Sequence, residues 1–74
     1  MRLTIKLFAT FQKGRFVTAE RECAPGTTLA TLVDALGIPR EEIGVLLVRG
    51  RHAELEHAPA QDDTVAIFPL LGGG

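Results

Sequence analysis

From Arg2 to Ala9 polar and apolar residues alternate, with Leu3, Ile5 and Leu7 on one side and Arg2, Thr4 and Lys6 on the other. A period of two predicts a strand with one buried face. The polar stretch Thr10 to Arg15 contains Gly14 and reads as a turn. Phe16 to Cys23, rich in β-branched and charged residues, reads as a second strand. Two strands joined by a short connection should pair as an antiparallel hairpin.

The period then changes. After the loop Pro25-Gly26-Thr27-Thr28, whose hydroxyls suit a helix N-terminus, Leu29, Leu32, Val33 and Leu36 follow at helical spacing. Asp34 falls on the opposite side of that helix. Gly37 is placed to end it in a left-handed cap, and Pro39 prevents its resumption. Ile43 to Val48 is a continuous apolar run of strand length, broken by Arg49-Gly50-Arg51. A short strand is expected around His52 to Leu55, then a loop through Ala58 to Asp63, then a last strand from Thr64 to Phe68.

The predicted order is β-β-α-β-β-β. The helical stripe has one place to go, across the apolar face of a mixed sheet whose last strand lies parallel to the first. That is an α+β roll. The expected core is Leu3, Ile5, Leu7, Val17, Leu29, Leu32, Val33, Leu36, Ile38, Leu47, Val65 and Ile67. Residues 1–71 form the domain, and Gly72-Gly73-Gly74 form a flexible glycine tail.

Composition narrows the function. With 74 residues and 46% hydrophobic positions, the chain supports one small packed domain. Eight basic against nine acidic residues give a net charge of -1, which speaks against nucleic acid and an anionic membrane surface as partners. The single cysteine, Cys23, cannot form an internal disulfide, and no signal peptide or bilayer-length apolar segment is visible, so the expected setting is the cytoplasm.

Few side chains suggest chemistry. Cys23 has no His or Lys beside it in sequence and reads as a small half-buried strand residue. His52 and His57 flank Glu54 and Glu56 on a turn-rich segment without fixed ligand geometry, so no metal site is expected. Glu41-Glu42 and Asp62-Asp63 read as solvated turns. No catalytic residue, metal or bound cofactor is assigned.

The terminal glycines stand out instead. Ordered glycine loses the most conformational freedom and packs nothing, so such a run adds no stability. It does carry an unhindered α-carboxylate away from the fold. Five residues from Leu70 to Gly74, at about 3.3 Å each, reach well over 10 Å. An ionised carboxylate is a poor electrophile, so a partner must activate it, most simply as an acyl-adenylate made with ATP. By strand parity Phe8 and Phe68 face away from the core side. If the first and last strands are neighbours, their rings lie side by side on the open face, with Leu70 sharing that parity. This is the expected docking surface at the root of the tail.

Leu7-Phe8-Ala9, Pro25-Gly26-Thr27-Thr28-Leu29, Leu36-Gly37-Ile38-Pro39 and the segment from Asp62 to Pro69 before the glycines occur in an order and spacing that carry a resemblance. Over its whole length the chain resembles the ubiquitin-like sulfur carrier proteins, which include the small subunit of molybdopterin synthase (MoaD) and the thiamine-pathway carrier ThiS. Leu7-Phe8-Ala9 and Phe68-Pro69 are more similar to the MoaD branch. The resemblance implies a β-grasp fold. It implies that a ubiquitin-activating-like adenylyltransferase adenylates Gly74 and that sulfur transfer converts it to a thiocarboxylate. The carrier then donates sulfur for molybdopterin while bound to the large synthase subunit. Gly73 and Gly74 would form the functional end, and Phe8, Phe68, Pro69, Leu70 and Leu71 the docking surface. Thiamine thiazole synthesis, with a thiazole synthase as partner, and conjugation of Gly74 to a lysine remain alternatives. The chain departs from that branch's common pattern at the extra Gly72, at Pro69-Leu70-Leu71 in place of its usual ending, and at Arg49-Gly50 where Asn-Gly is common.

Overall fold

A computed structural model describes residues 1–71. The glycine segment 72–74, expected above to be a flexible tail with its reactive end at Gly74, lies outside the described residues. Strands β1 (Arg2–Leu7), β2 (Thr18–Glu22), β3 (Ile43–Val48), β4 (Arg51–His52) and β5 (Thr64–Pro69) form one mixed sheet in the order β2-β1-β5-β3-β4. Helix α1 (Leu29–Ala35) lies between β2 and β3 in sequence. β1 pairs antiparallel with β2 and parallel with β5, so the two ends of the chain's sheet sit side by side at its centre. β3 runs antiparallel to β5 and β4. The β-β-α-β-β-β order and the parallel pairing of first and last strands are as the sequence predicts. The architecture is the β-grasp.

The core lies between α1 and one face of the sheet. Leu29, Leu32 and Val33 of the helix meet Leu3, Ile5, Leu7, Val65 and Ile67 of the central strands. Local rules explain the helix ends. Thr28 caps the N-terminus, its hydroxyl oxygen accepting the Thr31 N–H at 3.3 Å. The Leu29 and Ala30 N–H groups donate to the His57 and Leu55 carbonyls, which ties the long loop before β5 to the helix. Gly37, at φ 72°, takes the left-handed cap, with Ile38 N–H bonded back to Val33.

Three expected core positions differ. Val17 is 60% exposed because β2 begins only at Thr18. The connection before it holds a 3-10 turn at Ala9–Gln12, which buries Phe11 to 3% exposure at that end of the core. Leu36 is half-buried at the helix C-cap, packed against the core rather than within it. Leu47 points to the open face, and its neighbours Leu46 and Val48 enter the core. The cause is a bulge: Ile43 pairs with Pro69 and Val45 with Phe68, leaving Gly44 as the extra residue. The strand expected at His52 to Leu55 is confined to Arg51–His52.

The acidic pair Asp62-Asp63 is also not simply a solvated turn. Asp63 is 9% exposed, accepts the Ala60 N–H at 2.8 Å and lies 3.7 Å from the Arg49 guanidinium, while Asp62 is exposed at φ 68°. Its carboxylate closes the turn that launches β5.

Candidate functional site

The open face of the sheet carries a small apolar site. Alternation along β1 sends Leu7 into the core and leaves Phe8 on the other side, where its N–H continues the parallel pairing to the Ile67 carbonyl at 3.3 Å. The same alternation on β5 sends Ile67 inward and Phe68 outward. The two rings stack face to face, with centroids 4.1 Å apart and planes 9° from parallel. The side-by-side placement anticipated from strand parity is therefore the geometry found. Beyond Phe8 the chain turns sharply at Ala9, a non-glycine residue at φ 51°.

Beside the stack, Ala9, Val45, Leu47, Phe68, Pro69 and Leu71 line an apolar hollow of about 250 Å³. Val45 stands opposite Phe68 and Leu47 opposite Ala66, a placement set by the bulge at Gly44. Among the expected docking residues, Phe68, Pro69 and Leu71 line the hollow and Phe8 backs it through the stack. Leu70 is 61% exposed but outside the lining, because strand parity ends with β5 at Pro69. Leu71 adjoins the hollow instead. Sequence reasoning missed Ala9, Val45 and Leu47. A glycine just after the start of an otherwise unbroken apolar strand was the available signal, since it marks a bulge that resets parity.

The lining holds no ionisable side chain, so the hollow offers apolar burial and ring surface to a partner group. Away from the hollow, Asp34 and Arg40 shift one another's ionisation. The Arg40 guanidinium, hydrogen-bonded to both Asp34 oxygens, holds that carboxyl below the usual carboxylate range, and the carboxylate raises Arg40 in return. Cys23 is half-buried at the end of β2, where its carbonyl accepts the Met1 ammonium at 2.7 Å. His52 and His57 are exposed and share a separate hollow of about 780 Å³ with Arg49, Arg51 and Asp63. No group of His, Cys, Asp or Glu among the described residues is arranged to hold a metal ion. No described helix is long and apolar enough to cross a membrane.

A parallel central strand pair, a single helix on one face and an apolar patch on the other is a ubiquitin-like arrangement, and the family model for Mut7-C ubiquitin matches residues 4–72. The chain belongs to the Mut7-C ubiquitin family. Among solved structures it is similar to SAMP1 from Haloferax volcanii, with a TM-score of 0.78 at 26% identity over 100% of both chains. A putative molybdopterin converting factor, subunit 1, from Pyrococcus furiosus shares the fold, with a TM-score of 0.77 at 20% identity, covering 93% of this chain and 97% of that one. No curated protein matches the sequence. The ubiquitin-like carrier resemblance read from the sequence is thus borne out at the level of family and fold.

Proposed function

We propose that this protein is a ubiquitin-like sulfur carrier, acting in the cytoplasm, whose reactive group is the carboxylate of Gly74. The carboxylate attacks the α-phosphorus of ATP on an adenylyltransferase partner. The bond between the α-phosphorus and the bridging oxygen breaks, pyrophosphate leaves, and an acyl-adenylate forms. A hydrosulfide-level sulfur nucleophile then adds to the carbonyl, and AMP departs with the bonding electron pair. The product is a thiocarboxylate, which donates its sulfur to an intermediate held by a second partner. The large subunit of molybdopterin synthase is the proposed recipient, and the ATP belongs to the activating enzyme.

The observation that carries this reading is the Phe8–Phe68 stack beside the apolar hollow, on the strand that leads directly to the glycines. A docked partner there grips the domain within a few residues of its working end. The docking face is proposed as Phe8, Phe68, Pro69, Leu71 and the flanking Leu70, with Ala9, Val45 and Leu47 added by the hollow.

A second reading shares the activation step and differs in the acceptor: a lysine amine attacks the activated carbonyl and forms an isopeptide bond. The 26% identity and full-length alignment with SAMP1, a small archaeal modifier protein, favour keeping it. Mass spectrometry of the protein co-expressed with its native activating enzyme separates the two. An oxygen-to-sulfur mass gain at Gly74 supports the carrier; a branched peptide on a lysine supports the modifier. Appending one residue after Gly74 tests the shared step, and sulfur loading that survived the extension would refute it.

A further inference from the structure

Gly44 is glycine for reasons of space. It is the extra residue of the β3 bulge, and its φ is not among the positive values that usually call for glycine. A Cβ built on it would stand 2.6 Å from the Pro69 carbonyl oxygen, 2.9 Å from the Pro69 carbonyl carbon and 3.0 Å from the Leu70 Cα. All three are backbone atoms of the segment leaving β5, so no side-chain rotation relieves the contact. The bulge therefore lets β3 press directly against the exit of the last strand.

Two neighbouring features fix the same point. The Leu70 N–H donates to the Glu42 carbonyl at 2.9 Å, one backbone bond beyond the end of β5. Pro69 contributes a restricted φ. The rings of Phe8 and Phe68 are also held from upstream, by the β1–β5 pairing through Leu7 and Ile67.

We propose that Gly44 is a positioning residue: its missing side chain and the adjoining Glu42–Leu70 bond set the direction in which the chain leaves the sheet, and so aim Gly74 into the activating enzyme. The proposal rests on the carrier function above and deepens it. Phe8 and Phe68 hold the partner, and Gly44 decides whether a held terminus points at the nucleotide.

The test is carrier-dependent ATP–pyrophosphate exchange by the native adenylyltransferase, with the full chain as varied substrate. Gly44→Ala and Gly44→Val are compared with the wild type, and amide hydrogen exchange is followed at Leu70. The expected result is a kcat lowered by about tenfold to a hundredfold, the upper figure being what an ångström-sized misplacement can cost, and lowered further for Val than for Ala. The fall in kcat exceeds any rise in KM, and Leu70 amide protection falls while β1 protection persists. A purely structural role would lower the melting temperature and leave the kcat of the folded fraction unchanged, which would overturn the proposal. Should the Gly44 variants not fold, Leu70→Pro is compared with Leu70→Ala: both lose the docking side chain, and only the proline loses the N–H given to Glu42. The same kcat loss is expected of the proline variant relative to the alanine one, and equal kcat in the two also overturns the proposal. Wild-type protein that supports no exchange refutes the carrier reading and this inference together; wild-type exchange with unaltered variants refutes this inference alone.

Discussion

The ring of Phe8, at the exit of the first strand, lies flat against that of Phe68 in the last, 4.1 Å between centroids. A stacked pair on the solvent side of a sheet contributes about 0.5–1.5 kcal/mol beyond area burial. That is modest for stability, but the pair also presents a flat apolar anchor beside a hollow. The central anchor of an interface commonly costs at least about 2 kcal/mol when truncated, roughly thirtyfold in Kd. Phe68→Asp should therefore keep a cooperative urea transition, lowered by about 1–2 kcal/mol, and weaken binding to the activating enzyme by at least that thirtyfold in calorimetry. Unchanged affinity would remove Phe68 from the docking face.

The two rings should also be coupled. In a cycle of Phe8→Ala, Phe68→Ala and the double variant, stability should show an interaction of about 0.5–1.5 kcal/mol. Additive losses in urea denaturation would mean that the rings merely touch.

Most of this arrangement was legible in the sequence because its periods are clean. Leu3, Ile5 and Leu7 against Thr4 and Lys6 identify the inner face of β1, and parity then places Phe8 outside. The helical stripe, the Thr28 cap and Gly37 locate α1 to within a residue. What escaped was whatever lacks a period. In the run Ile43 to Val48 every neighbour except Gly44 is apolar, so the inward set follows from the bulge rather than from alternation; Leu47 and Val45 were consequently lost from the site. Phe11 sits among polar residues and is buried only because a 3-10 turn folds it back under the sheet.

That turn is held by Arg15, whose role no pattern announces. Its guanidinium donates to the Leu36 carbonyl at 2.9 Å, the Gly37 carbonyl at 3.0 Å and the Phe11 carbonyl at 3.2 Å. One cation thus satisfies free carbonyls at the C-terminus of α1 and fastens the β1–β2 connection to it. Arg15→Ala should cost about 1–2 kcal/mol in chemical denaturation. Arg15→Lys should recover only part, because an ammonium cannot span three carbonyls in the guanidinium's fork. Full recovery by lysine would reduce the interaction to charge alone.

Acid should act on the far side of the molecule, through Asp34 and Arg40. The guanidinium meets the carboxylate with two hydrogen bonds, 3.1 Å to Oδ1 and 2.7 Å to Oδ2, both side chains about half exposed. The hydrogen bonds to Arg40 lower the carboxyl below its ordinary value, which is about 4 in an unfolded chain. In the window between those two values the unfolded chain binds more protons at Asp34 than the folded one. The pair's contribution is therefore fully present above the unfolded value and is lost as pH falls through the lowered folded value. Solvent screening keeps that contribution small, and salt should reduce it further. The urea midpoint of wild type should exceed that of Asp34→Asn by a constant amount at neutral pH, and the gap should close on acidification below pH 4 or so. A gap that persisted in acid would mean that asparagine disturbs the helix itself rather than removing an ion pair.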